Sequence, residues 1–170
     1  MIKKVDRKYL EIKSIENLKI SKPPNNCCIV KLVNPPDFQL NKFFYKQVGK
    51  KHRWLDRLEW NDQKWINYVG SEKVDTYILK DNENLVGYFE LIYQFEKKEC
   101  EIGYFGVLPE FVGKKYGGFL LSEAIKKSFQ LKSNRVWVHT CSLDHKNALT
   151  NYLNRGMEIF KEETINLVVY

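Results

Sequence analysis

The middle and end of the chain carry short stretches in which apolar and polar residues alternate, the pattern of half-buried β-strands. Residues 75–80 and 85–95 alternate in this way on either side of a polar turn, so they predict a β-hairpin. Further strands are predicted over residues 27–33, 99–108, 135–141, 159–160 and 164–170. Strands therefore make up much of the expected structure.

Apolar residues at helical spacing predict helices between these strands. Two helices are expected in the tryptophan-rich segment after residue 43, the first ending near Trp60 and the second covering residues 63–69. The remaining predicted helices cover residues 117–130 and 147–154. The order of elements indicates a mixed α+β fold.

A single domain over residues 1–170 is expected, because neither a repeat nor a Pro/Gly/Ser-rich linker divides the chain. A domain of this length buries enough surface to be stable without disulfides or metals. No apolar run approaches the length of a membrane span, and no apolar signal core follows the first lysines. The sequence therefore predicts a cytoplasmic protein without a membrane partner.

The charge balance is basic, with 28 Lys+Arg against 21 Asp+Glu and a net charge of +7. Such a balance suits nucleic acid or a phosphorylated cofactor. The lysines are spread over the whole chain, however, and no zinc spacing or aromatic RNA-binding pattern accompanies them, so no nucleic-acid partner is expected. The spacing of Cys27, Cys28, Cys100 and Cys141 suggests neither a disulfide framework nor a metal site.

A glycine-bearing loop precedes the predicted helix at residues 117–130. Glycines in such a loop let an anion approach the N–H groups at a helix N-terminus, and Lys114 and Lys115 add positive charge. A glycine turn between a strand and a helix is also common without any ligand. The loop alone therefore indicates an anion site only weakly.

The stretch from Val107 to Gly118 nevertheless resembles the acetyl-CoA loop of the GNAT N-acetyltransferases. Residues 145–157 resemble the last motif of that superfamily, in which Ala148, Tyr152 and Gly156 keep the expected spacing. Three other segments, residues 48–60, 104–111 and 137–145, are similar to one bacterial GNAT subgroup. The order of elements agrees, so the resemblance covers nearly the whole chain.

The resemblance implies a GNAT-like α+β fold, with a mixed, mostly antiparallel sheet and helices on both faces. The strands ending at Leu108 and starting near Arg135 are expected to run parallel and to splay apart, admitting the pantetheine arm of acetyl-CoA. The residues expected to bind this cofactor are Val107, Gly113, Lys114, Lys115, Tyr116, Gly117, Gly118 and His145. Val112 and Lys115 depart from the usual loop pattern, which leaves a catalytically silent acyl-CoA-binding domain as an alternative.

The resemblance also assigns catalytic roles. Glu101, on the strand before the loop, is the expected general base, and a buried carboxylate there would have a raised pKa. The alternative is a solvent-facing strand glutamate. Tyr152 is expected to protonate the departing thiolate, although a tyrosine that packs on the sheet would have the same pattern. His139 is a second candidate for handling the proton.

The expected acceptor is the primary amine of a small molecule, with a protein lysine or N-terminus as the alternative. The residues expected to contact it are Tyr45, Trp54, Arg57 and His139. Arg57 can hold a carboxylate in a bidentate fashion or pair with an acidic neighbour, and the aromatic residues can wall a pocket or pack in the core. The protein is expected to be a monomer or a homodimer.

Overall fold

The computed structural model describes residues 2–168, which form a mostly antiparallel sheet with helices on both faces. The strands are β1 (Ile2–Ile12), β2 (Cys28–Leu32), β3 (Val74–Asp81), β4 (Asn84–Gln94), β5 (Glu99–Val107), β6 (Arg135–Cys141) and β7 (Glu158–Val168). The helices are α1 (Phe38–Gly49), α2 (Asp62–Val69), α3 (Tyr116–Gln130) and α4 (Ala148–Asn154). The predicted α+β fold class is confirmed.

The seven strands lie in the order β2-β3-β4-β5-β6-β1-β7, and β5 and β6 run parallel. These two strands, connected through α3, pair only through residues 99–101 and 135–137. Beyond these residues their carboxyl ends diverge, so the sheet opens at its centre. The predicted parallel, splayed pair is therefore confirmed.

A β-bulge in β5 lies beside this opening. Phe89 of β4 pairs with Phe105, whereas Leu91 pairs with Ile102, so that Gly103 and Tyr104 together face one residue of β4. A bulge bends its strand and redirects the side chains that follow. Here it occurs where β5 turns away from β6, and both bulge residues line the cavity described below.

Alternation along the strands sends side chains into separate cores on the two faces of the sheet. On one face, Cys100 and Ile102 join the large apolar cluster built around α3. On the other face, α1 and α2 bury Phe44, Tyr45 and Trp65 completely. Glu101 falls between Cys100 and Ile102 and therefore points to the α1–α2 face.

Three parts of the structure differ from the sequence prediction. The first strand, β1, was not predicted. The first helix ends at Gly49 and not near Trp60, because the chain turns back and Trp54 packs on Gly49, where an added Cβ would lie 2.6 Å from Trp54 Cβ. The two predicted final strands form one strand, β7, because β1 pairs along its whole length. Residues 169 and 170 of that prediction lie outside the described part.

Among the described residues, no helix has the length and apolar character needed to cross a membrane.

Candidate active site

A cavity of about 750 Å³ passes through the opening between β5 and β6. Its lining includes residues 102–107 of β5, residues 113 and 115–118 at the start of α3 and much of α4. On the other face of the sheet, residues 52–56 and several side chains of β6 complete the wall. The cavity therefore connects a helix N-terminus on one face with polar and aromatic side chains on the other.

The N-terminus of α3 presents backbone N–H groups to this cavity. Gly113 and Lys115 both have left-handed backbone conformations, with φ of 80° and 69°, and the Lys115 side chain does not cap the helix. The N–H groups of a first helical turn have no partner within the helix. A Cβ added at Gly117 would meet only Asn151 Nδ2, at 3.7 Å. The arrangement thus fits an anion such as a phosphate group.

Three contacts hold this first turn in place. Tyr116 Oη donates a hydrogen bond to Asp81 at the end of β3, and Asn151 Nδ2 of α4 donates to Gly117 O at 3.1 Å. Gly118 has a packing role, because an added Cβ would lie 2.6 Å from Ser21 Oγ. The anion-binding geometry is therefore built from both helices and the β3–β4 hairpin.

Glu101 is half-buried on the α1–α2 face, beside the last paired residues of β5 and β6. Burial raises the pKa of its carboxyl to about 7, and the Glu90 carboxylate adds to this effect while Arg57 opposes it. Glu101 does not line the cavity, although its neighbours Ile102 and Gly103 do. Its raised pKa suits a general base at neutral pH, and its place outside the lining separates it from direct contact with a molecule in the cavity.

Tyr152 lies on α4 and contributes to the cavity wall. It is 6% exposed, and its ring centroid lies 6.3 Å from that of Phe105 on β5. Burial raises the pKa of the Tyr152 hydroxyl above its ordinary value, so the group stays protonated at neutral pH. It therefore carries a proton beside the cavity, although burial also makes that proton harder to release.

His139 and Cys141 lie at the carboxyl end of β6 and both line the cavity. Burial lowers the pKa of the His139 imidazole, and the Arg7 guanidinium lowers it further. The imidazole is therefore neutral at pH 7 and able to accept a proton. Burial raises the pKa of the Cys141 thiol, which argues against Cys141 as a nucleophile.

An aromatic and acidic wall faces β6 across the cavity. Trp54 packs on Tyr104 with ring centroids 4.5 Å apart. Asp56 accepts hydrogen bonds from Tyr45 Oη at 2.9 Å and from Tyr104 Oη at 2.5 Å. This network fixes the turn after α1 against the bulge of β5.

Tyr45 and Arg57 lie beneath this wall, outside the cavity. Tyr45 is fully buried between α1 and α2, and Arg57 is only 5% exposed. The Arg57 guanidinium pairs with the fully buried Glu90 at 2.8 Å and lies 4.1 Å from the ring centroid of Tyr68. Since both side chains are enclosed by protein, we assign neither a contact with substrate.

The cavity brings together most of the site residues expected from the sequence. Those that line it are Trp54, Val107, Gly113, Lys115, Tyr116, Gly117, Gly118, His139, His145 and Tyr152. Glu101, Lys114, Tyr45 and Arg57 do not line it. The Lys114 side chain instead extends over the ring of Phe111, with Nζ 5.7 Å from its centroid.

The cavity wall also contains residues that the sequence analysis did not assign to the site, among them Arg7, Asp56 and Asn151. Asn151 precedes Tyr152 in the last motif, so its place on α4 was available from that motif. Arg7 gave no such indication, because its position depends on the pairing of β1 with β6 and β7.

The sequence profile of the Acetyltransferase (GNAT) family matches residues 38–157. No curated protein matches the sequence. A GCN5-related N-acetyltransferase from Sphaerobacter thermophilus has a similar structure, with a TM-score of 0.74 and 15% identity over 95% of this chain and 50% of that chain. Another, from Kribbella flavida, has a TM-score of 0.67 and 12% identity over 97% of this chain and 58% of that chain.

An aminoglycoside acetyltransferase from an uncultured soil metagenomic sample has a TM-score of 0.64 and 11% identity, over 78% of this chain and 90% of that chain. This chain thus spans 50% and 58% of the first two structures, and identities this low show a shared fold. The family profile covers well over half of the sequence, including β5, α3 and α4. The chain therefore belongs to the acetyltransferase (GNAT) family.

Proposed function

We propose that the protein is an acetyl-CoA-dependent N-acetyltransferase that transfers the acetyl group directly to the primary amine of a small molecule. The observation that carries this proposal is the cavity through the open centre of the sheet. It joins the uncapped N-terminus of α3 to a wall that contains His139, with Glu101 close behind. Its volume of about 750 Å³ lies within the range of small-molecule sites.

Acetyl-CoA supplies the acetyl thioester. The N–H groups of residues 113–118 are suited to hold its pyrophosphate, with Lys115 adding charge and His145 lying nearby on the cavity wall. The backbone N–H of Val107, at the end of β5, is the proposed hydrogen-bond donor to the thioester carbonyl.

The proton on the acceptor amine has to leave before the nitrogen can attack. An unperturbed lysine-like amine has a pKa of about 10.4 and is mostly charged at neutral pH. Glu101 accepts this proton through water in the favoured scheme, and His139 accepts it directly in the alternative. As the new C–N bond forms and the C–S bond breaks, Tyr152 Oη gives its proton to sulfur, and the second proton that leaves the nitrogen returns the tyrosine to its protonated form through water.

The first test is calorimetric titration with acetyl-CoA, using Gly117→Asp and its neutral match Gly117→Asn. Both side chains have room beyond Gly117, and an aspartate in the first turn favours the helix. We expect Gly117→Asp to weaken binding roughly tenfold or more, since two like charges a few ångströms apart repel by a few kcal/mol. Gly117→Asn should bind nearly as the wild type does, and Gly117→Asp should not lower the unfolding free energy.

Equal affinity for acetyl-CoA in Gly117→Asp and wild type would mean that the pyrophosphate does not bind at this helix N-terminus. Thiol release across a library of primary amines then tests the chemistry. Tight acetyl-CoA binding without thiol release from any amine would identify a silent acyl-CoA-binding domain.

A further inference from the structure

Arg7 forms part of the cavity wall on the face of the sheet that carries His139. In the antiparallel pair of β1 and β6, Arg7 lies opposite Cys141 and Tyr9 lies opposite His139. Directly paired residues point to the same face of a sheet, and all three of Arg7, His139 and Cys141 line the cavity. The Arg7 side chain therefore belongs to the part of the cavity away from the N-terminus of α3.

The Arg7 guanidinium acts on nearby charge, since it helps to lower the pKa of the Glu163 carboxyl, but the described residues leave it partly unsatisfied. Its Nε is buried and has no hydrogen-bond partner, and no ion pair of Arg7 occurs within residues 2–168. Glu163 is its neighbour on β7, but that carboxylate accepts from Tyr9 Oη at 2.6 Å and pairs with Lys161 at 3.3 Å. A buried donor without an acceptor is costly, so this position is suited to an acceptor brought by a ligand.

Protein donors engage one oxygen of each acidic group in the cavity. Among the described lining residues these acidic groups are Asp56 and Asp144. Asp56 accepts two tyrosine hydroxyls, and Asp144 Oδ2 accepts Thr140 Oγ1 at 2.6 Å and the Cys141 N–H at 3.0 Å. The cavity thus offers a guanidinium with an unpartnered Nε beside a neutral imidazole, and each of its two carboxylates has one oxygen that already accepts protein donors.

We propose that the acceptor is an amine that also carries a carboxylate, and that Arg7 binds this carboxylate. The inference rests on the proposed acetyltransferase function, because it names the acceptor class for that reaction. A guanidinium matches a planar carboxylate with two parallel N–H donors, and the match is strongest where water is partly excluded. Arg7 thereby takes the role that the sequence suggested for Arg57, whose guanidinium is committed to Glu90.

The test measures thiol release with glycine and β-alanine, each beside its own carboxamide, in wild type, Arg7→Gln and Arg7→Lys. Lys4→Gln is the matched control, because Lys4 is exposed on the same strand with its side chain on the opposite face. For each acceptor, the KM of the variant is divided by the KM of the wild type. This ratio cancels differences in basicity between the amines.

We expect Arg7→Gln to raise KM for the amino acids roughly 10- to 100-fold, the usual loss for charge-assisted hydrogen bonds, with kcat nearly unchanged. Arg7→Lys should have a KM between those of wild type and Arg7→Gln, and the control Lys4→Gln should keep the wild-type KM. The carboxamides should be poor acceptors of the wild type and insensitive to Arg7→Gln. Affinity for acetyl-CoA should be the same in all variants.

The proposal would be overturned if the wild type acetylated the carboxamides as well as the amino acids. It would also be overturned if Arg7→Gln raised KM equally for the amino acids and for their carboxamides. Weaker acetyl-CoA binding in Arg7→Gln would also overturn it, by placing Arg7 in the cofactor half. If no amine releases thiol, calorimetry of glycine and β-alanine with the CoA-saturated protein decides the point. Binding that Arg7→Gln abolishes supports a carboxylate site although the acetyltransferase function fails, and binding that is absent or unchanged overturns both.

Discussion

One face of the sheet is covered by helices in its first half and left open in its second. Over β3, β4 and β5, the apolar clusters formed with α1 and α2 enclose the face, and they include no residue of β6, β1 or β7. On those three strands the same face carries Tyr9, Trp137 and His139, which are half-buried, and Phe160, which is 42% exposed. The two halves meet where β5 and β6 diverge.

The arginines of the two halves show what this difference means. Arg57, under the helices, has its charge matched by Glu90 and its guanidinium enclosed by aromatic rings, including those of Tyr68 and Tyr104. Arg7, in the open half, keeps a buried Nε without a partner. An enclosed charge is costly unless another group in the protein pairs with it, whereas a charge beside a cavity can be paired by a bound ligand. On this face of the sheet, a buried charge is thus paired within the protein in the covered half, and a partly unsatisfied charge lies beside the cavity in the open half.

The largest expected effect decides which half supplies the general base. Glu101 belongs to the covered half and His139 to the open half. We expect Glu101→Gln to lower turnover roughly 10²–10⁴-fold, the usual span for loss of a general base, and His139→Asn to lower it only several-fold. Glu99→Gln is the control, because it changes a glutamate on the same strand that pairs with Arg135.

The pH profile of kcat/KM in the wild type provides an independent measurement. A base works only when deprotonated, so activity should fall as the pH drops through its pKa. If Glu101 is the base, the acidic limb should have its midpoint near 7. A midpoint below 6.5, together with wild-type turnover in Glu101→Gln, would instead assign the base to His139.

The next effect breaks the covered half itself. Arg57→Met leaves the Glu90 carboxylate buried without its partner, and we expect a loss of about 3–5 kcal/mol in the free energy of unfolding. Urea denaturation measures this loss. The double variant Arg57→Met/Glu90→Met should recover most of it, because an apolar pair carries no buried charge.

Lys42→Met is the matched control for that experiment. Lys42 of α1 pairs with Asp62 of α2 at 3.1 Å, but the Asp62 side chain is 69% exposed. A surface pair of this kind contributes less than about 1 kcal/mol. If Arg57→Met cost no more than Lys42→Met, Arg57 would not be a structural residue, and a contact with substrate would have to be reconsidered.

Local pattern was sufficient to predict much of the fold. The β3–β4 hairpin follows from alternation on either side of a polar turn, and β6 and α3 follow from equally local periodicity. The opening at the centre of the sheet followed from the family resemblance, because two motifs placed the strands before and after α3. These features depend on residues close together in the sequence or on motifs that the chain keeps.

Contacts between distant residues could not be predicted in this way. β1 joins the sheet through partners on β6 and β7 more than 120 residues away, so no local pattern could indicate that Arg7 lines a cavity. Arg57 has acidic neighbours on either side, yet its partner is Glu90 on β4. The roles of Glu101 and Tyr152 stay predictions, since they depend on chemistry that only kinetics measures.

The smallest expected effect tests the boundary between the halves through stability. Because burial raises the pKa of Glu101 from an ordinary 4.5 to about 7, the folded protein holds this proton more tightly than the unfolded chain does. The resulting stabilisation is fully present below pH 4.5 and is lost as the pH rises through 7. At pH 8 the ionised carboxylate should therefore cost up to about 3 kcal/mol relative to its protonated form.

Glu101→Gln removes this dependence. In urea denaturation at pH 5, 6, 7 and 8, the unfolding free energy of wild type relative to Glu101→Gln should decline steadily with pH, by roughly 1–3 kcal/mol over the series. Glu110→Gln changes an exposed glutamate after β5, and its unfolding free energy should change with pH as that of the wild type does. Parallel curves for wild type and Glu101→Gln would mean that Glu101 is solvated like an ordinary surface glutamate. The covered half would then end before β5 reaches the opening, and the base near pH 7 would have to come from the open half.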